Sequence, residues 1–85
     1  MRIEYLPRFA RQYKKLPREI QELAEKREIL FRKNPFDSRL KTHRLRGRLV
    51  RYHAFWINFS YRVIFEFADN DTVWFHQIGD HDIYD

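Results

Sequence analysis

The sequence predicts one α+β domain, residues 1–85, built from an N-terminal strand, an αα-hairpin and a three- to four-stranded, mainly antiparallel sheet. Three observations predict it. Two stretches with apolar residues at helical spacing each begin at a proline, Pro7 and Pro17. After residue 49 the pattern changes to alternation, clearest in Tyr61, Val63, Phe65 and Phe67. Asp69-Asn70-Asp71 then separates two such runs, as a hairpin turn does.

Arg2 to Leu6 reads as a short first strand, with Ile3 and Tyr5 alternating against Arg2 and Glu4. Pro7 opens the first helix, where its missing N–H costs nothing. Phe9, Ala10, Tyr13 and Leu16 share one face of it; Arg8, Arg11, Lys14 and Lys15 lie elsewhere. Pro17 starts a second helix that runs to about Asn34, with Ile20, Leu23, Ala24, Leu30 and Phe31 as its apolar stripe. Glu22 with Lys26, and Glu28 with Arg32, are spaced for i,i+4 ion pairs. Asn34-Pro35 ends the helix, because the residue before a proline avoids helical geometry.

Phe36 to Leu49 reads as a polar connection. A second strand is expected at about Val50 to Asn58, a third at Tyr61 to Ala68 and a fourth at Thr72 to Ile78, ended by Gly79. A three-residue loop at Asp69–Asp71 sets Phe65 opposite Phe75 and Phe67 opposite Val73, whereas a two-residue loop would turn the last strand over. The longer loop keeps the apolar set together and sends His76 outward with Arg62, Glu66 and Trp74. The expected result is a sheet with helices on one face and a cationic, aromatic surface on the other.

With 44% hydrophobic and 18% aromatic residues, a chain of 85 has material for a core. It has no cysteine, so disulfides and thiolate metal sites are excluded. No apolar run approaches membrane-spanning length, and a cytoplasmic protein is expected. The net charge is +5, but its placement says more. From Arg39 to Phe65 there is no acid, while Arg39, Lys41, Arg44, Arg46, Arg48, Arg51 and Arg62 fall in that span. Cations gathered without counterions are the footprint of a phosphate-binding surface. Lys41, His43, Arg44, Arg46, Arg48, Arg51 and His53 are therefore the candidate RNA contacts.

RNA can be cut without a metal if its own 2′-hydroxyl attacks the phosphorus. The protein must then hold positive charge over the phosphate and move protons. Arg62, mid-strand between apolar neighbours, is the candidate for the charge, because its fork stays protonated and grips two oxygens. A structural alternative is an ion pair with Glu66 on the same face. His81, in Gly79-Asp80-His81-Asp82-Ile83-Tyr84, is the candidate acid or base, and His76 a second one. Tyr84 can stack on a base or donate to a phosphate. No pair of histidines stands at metal-ligand spacing on a predicted helix, no glycine-rich phosphate loop is present, and neither a metal nor another cofactor is expected.

The element order, His43-Arg44-Leu45-Arg46-Gly47 before the second strand, Tyr61-Arg62-Val63-Ile64-Phe65 in the third, and Ile78-Gly79-Asp80-His81-Asp82-Ile83-Tyr84 at the end together resemble the RelE/ParE toxin superfamily, most closely its RelE/StbE-type toxins. The resemblance spans the whole chain. It implies the RelE-like, microbial-ribonuclease-type fold and the toxin of a type II toxin-antitoxin system. It further implies a metal-independent mRNA endoribonuclease acting on the ribosome and a cognate antitoxin that forms a hetero-oligomer with it. Arg62 matches the family's strand arginine, His81 falls near its tail acid, and Tyr84 matches the tail aromatic that orients RNA. The tail departs from the pattern: it has no second arginine, and Asp80 and Asp82 add negative charge. Two other readings remain open, a ParE-like inhibitor of DNA gyrase and an inactive RNA-binding relative.

Overall fold

The computed structural model describes residues 1–84. Its elements are β1 (Arg2–Tyr5), α1 (Pro7–Lys14), α2 (Arg18–Lys33), β2 (His43–Arg44), β3 (His53–Trp56), β4 (Arg62–Phe67) and β5 (Thr72–Gly79). Short 3-10 turns occupy Ser38–Leu40, Gly47–Leu49 and His81–Tyr84. The sheet is five-stranded, in the order β1-β5-β4-β3-β2. β1 runs parallel to β5, and every other neighbour pair is antiparallel.

The α+β class and both helices match the sequence reading, with three corrections to the strands. The supposed polar connection contains β2, which pairs with β3 through His43–Ala54 and Arg44–His53. A two-residue edge strand has no room for apolar alternation, so periodicity could not show it. The second expected strand is shorter, His53–Trp56, because Gly47–Leu49 forms a 3-10 turn whose backbone bonds run on to Val50 and Tyr52. The third correction is a β-bulge. Phe65 faces Phe75 and Phe67 faces Val73 as expected, but Ile64 faces Gln77 rather than His76. His76 and Gln77 thus oppose Ile64 alone, and the added residue restores parity so that Phe75 and Ile78, three apart, both point inward.

The inner face of the sheet meets the helices. Phe55, Val63, Phe65, Val73, Phe75 and Ile78 pack there against Phe9, Ala24 and Phe31. Both helices begin as the prolines dictate, with Pro7 at the first turn of α1 and Pro17 at the N-cap of α2. Of the spaced ion pairs, Glu28 meets Arg32 at 3.4 Å, while Glu22 pairs with Arg18 instead of Lys26, also at 3.4 Å. These are exposed pairs of small weight. Arg39, counted above among the unbalanced cations, grips the Asp37 carboxylate at 2.8 Å and holds it down to a pKa of about 2.

The start of α1 decides what happens at one sheet edge. β1 pairs with β5 only as far as Phe75, so the rest of β5 is an open edge. α1 covers it. The Gln12 side chain accepts from the Ile78 backbone N–H at 2.9 Å and donates to Gln77 Oε1 at 3.3 Å. Ile78 is buried, so its N–H needs a partner within the protein, and Gln12 supplies one. Gln12→Ala is expected to cost about 1–3 kcal/mol, read as a lower urea midpoint. An unchanged midpoint would mean that the edge does not need this cap.

Candidate RNA-binding face

The opposite face of the sheet carries the candidate site. It is not wholly polar: Leu45, Ala54 and Ile64 are buried there beneath Leu49, Tyr52, Ile83 and Tyr84. This second, smaller core positions the polar groups around it.

Directly opposed residues of antiparallel strands project to the same side. Trp56 of β3 opposes Arg62 of β4, and the guanidinium lies over the indole ring, 3.9 Å from its centroid. The ring quadrupole attracts the cation and fixes its plane. Arg62 Nη1 also donates to the carbonyls of Asn58 (2.7 Å), Phe59 (2.6 Å) and Tyr61 (3.3 Å), which close the turn before β4. Its Nε and Nη2 hydrogens make no hydrogen bond among the described residues, which leaves one edge of the fork open. The alternative ion pair with Glu66 is not formed; Glu66 accepts from His76 instead.

Lys41 approaches the same indole from the preceding loop, with Nζ 5.3 Å from the ring centroid. It sits in the left-handed region at φ 52°, an uncommon conformation for a residue with a Cβ. Lys41, Trp56 and Arg62 therefore form one cationic, aromatic cluster. Trp56 is not among the residues singled out from the sequence. The available signal was its parity with Ala54 and its place opposite Arg62 once the turn length is known. Beside it, Phe59 is 80% exposed at the tip of the turn, with its ring 6.0 Å from Trp56.

The tail reaches this face because of Gly79. Gly79 opposes Arg62, and a Cβ there would stand 2.7 Å from the Ile83 methyl. The missing side chain is the space into which Ile83 folds. Asp80 shapes the turn, accepting from the Asp82 N–H through its side chain and from the Ile83 N–H through its carbonyl. Tyr84 is thereby set down against the small core. Burial pushes its hydroxyl above the ordinary phenol value, and the nearby Arg62 charge opposes that shift. His81 lies two residues beyond Arg62's strand partner, with its side chain 88% exposed and Nε2 3.8 Å from Asp82.

The remaining candidates separate by position. His76 points outward; it bonds Glu66 at 2.9 Å and meets Tyr52 edge-on at 4.9 Å. Arg46, Arg48 and Arg51 are exposed around the Gly47–Leu49 turn. Arg44 is exposed as well, but its Nε is bonded to the Val50 carbonyl. His43 is exposed on β2, its Nδ1 3.1 Å from the Lys41 carbonyl. His53 lies apart from these, on the helix side. It stacks on Phe65 at 5.5 Å and meets Phe67 and Phe36 edge-on.

The position of His53 has a measurable consequence. Its Nδ1 is buried and has no hydrogen-bond partner among the described residues, and burial first, then the Arg44 and His43 charges, lower its pKa from 6.5. Between that depressed value and 6.5 the unfolded chain binds more protons than the folded one, so stability falls as pH drops through this window. His53→Phe should remove this part of the pH dependence. Urea midpoints at pH 7.5 and 5.5 are expected to lie closer together in the variant than in the parent; an unchanged gap would reject the neutral, packed role.

Neither a family model nor a curated protein sequence matches the chain. Solved structures do. YafQ from E. coli strain BL21(DE3) superposes with a TM-score of 0.80 at 18% identity, over 99% of this chain and 98% of the other. A YoeB/ParE toxin from Agrobacterium tumefaciens gives 0.80 at 15% identity, over 95% and 99%. The chain has the RelE/ParE-type toxin fold. The E. coli DinJ-YafQ toxin-antitoxin complex also matches, with a TM-score of 0.73 at 16% identity, over 95% of this chain and 92% of the other. At these identities the likeness carries the fold alone.

Proposed function

We propose that the protein is the toxin of a type II toxin-antitoxin system and that it cuts mRNA on the ribosome without a metal. The observation that carries this reading is the Arg62 guanidinium, laid on Trp56 with one edge open, beside Tyr84. Attack by the RNA 2′-hydroxyl, whose proton passes to solvent water, closes a 2′,3′-cyclic phosphate and breaks the bond from phosphorus to the 5′-oxygen. Arg62 holds the phosphate as its charge spreads. His81, exposed at the rim, supplies a proton to the leaving oxygen. Tyr84 orients the nucleotide. Lys41 and His43 lie next to this centre, and the exposed Arg44, Arg46, Arg48 and Arg51 meet phosphates farther along the RNA or on the ribosome. His53 takes no part in this scheme. The partner antitoxin neutralises the toxin by covering the basic face.

Primer extension on transcripts from cells expressing the chain tests the reading. New 5′ ends within coding regions are expected, and they should disappear with His81→Ala while the protein remains folded. Growth arrest with intact transcripts and induced DNA-damage signalling would overturn it in favour of gyrase inhibition.

A further inference from the structure

A hollow lies on the same side of the sheet as Arg62, between α1 and the outer face. It has a volume of about 430 Å³, and its walls include Arg8, Arg11, Tyr52, Ile64, His76 and Gln77. We propose that this hollow is a second nucleotide subsite, which takes the nucleotide next to the scissile one, its base in the corner formed by Tyr52 and His76 and its phosphate on Arg8 and Arg11. The proposal rests on the nuclease reading above and adds residues to it.

Four features carry the inference. The Tyr52 and His76 rings meet at 73° with centroids 4.9 Å apart, which makes a corner with one aromatic face for a base to stack on. Glu66 holds His76 in place through the 2.9 Å bond to Nε2. Arg8 and Arg11 stand one helical turn apart at the rim, and neither makes an ion pair among the described residues. No acid occurs in α1 to balance them, since its sequence is PRFARQYK. Finally, the β-bulge sets the distance. His76 lies three residues from Gly79, the partner of Arg62, or roughly 10 Å along the strand. That is too far for His76 to serve the phosphate held by Arg62, and it suits the adjoining nucleotide. The buried Ile64 forms the floor between the two places.

An acidic peptide could also be drawn to two free arginines, but it would make no use of the aromatic corner. The test therefore compares ligands. Affinities of the full chain are measured for a 2′-O-methyl trinucleotide, which cannot be cut, and for a mononucleotide, with Arg8→Gln/Arg11→Gln and Arg62→Gln beside the parent. The double variant should lose roughly tenfold for the trinucleotide and nothing for the mononucleotide. Its salt slope should be shallower by about 0.7, for the one phosphate of a single strand that the two arginines hold. Arg62→Gln should weaken both ligands. Both arginines are exposed and Phe9 remains as the buried anchor of α1, so the double variant keeps its fold, which circular dichroism verifies. Equal trinucleotide affinity with an unchanged salt slope would overturn the subsite and leave the nuclease reading intact. A parent that binds neither RNA, but binds polyglutamate through Arg8 and Arg11, would overturn both.

Discussion

Replacing Arg62 by alanine is expected to lower RNA cleavage by about 10²–10³-fold, the loss typical when one preorganised charge is removed from a developing oxyanion. The side chain is preorganised in a literal sense. Trp56 fixes the plane of the guanidinium at 3.9 Å, and three turn carbonyls fix Nη1. The fork therefore needs little rearrangement when a phosphate arrives. The same bonds give Arg62 a second duty, since removing it leaves the Asn58–Tyr61 turn without its clamp. A stability loss of about 1–3 kcal/mol should accompany the variant. Arg62→Lys separates the two duties: it keeps the charge but loses the fork and the flat stacking surface. It should fall between parent and alanine in cleavage. Primer extension and growth, measured beside urea unfolding, check this. Full cleavage by a folded Arg62→Ala protein would remove the centre of the proposed mechanism.

The largest effect on stability is expected at Phe31. Its side chain is fully buried, and its ring touches Phe65, Phe55 and Phe75 at centroid distances of 4.9, 5.0 and 5.4 Å. In α2 only Ala24 and Phe31 are buried, and Phe31 alone completely, so Phe31 is the main peg that fastens this helix to the sheet. Phe31→Ala removes the ring and leaves a cavity among three aromatics that cannot readily collapse. The expected cost is about 3–5 kcal/mol. A domain of this size holds roughly 4–13 kcal/mol in all. The melting temperature should fall by more than about 12 °C, and a smaller fall would show that α2 is held chiefly by other contacts, such as the Arg27 bond to the Ile57 carbonyl.

Particular residues show why some of this was legible in the chain and some was not. Tyr61, Val63, Phe65 and Phe67 announce β4 because period two is a local property of a half-buried strand. Asp69-Asn70-Asp71 sets the β4–β5 register near the turn for the same reason. The Asp69 side chain accepts from the N–H groups of Asp71 and Thr72 and closes the loop by itself. Three residues beyond Phe75 the local rule fails. Ile78 is apolar at a position where strict alternation calls for an outward residue, and only a bulge reconciles the two. His53 shows the limit from another side. It lies next to the basic run in sequence, yet strand parity carries it under the sheet to stack on Phe65.

What the chain alone determined was the kind of domain, the two proline-started helices, the apolar side of β4 and the span in which cations lack counterions. Each follows from residues near one another in sequence. What only the tertiary structure decided was which of those cations share an aromatic ring, which pair off, and that Arg8 and Arg11 of α1 stand over a hollow beside the sheet. Those outcomes depend on cross-strand register, on one extra residue in β5 and on the space left by Gly79. Contacts of that kind join residues far apart along the chain, and packing settles them after local periodicity has been satisfied.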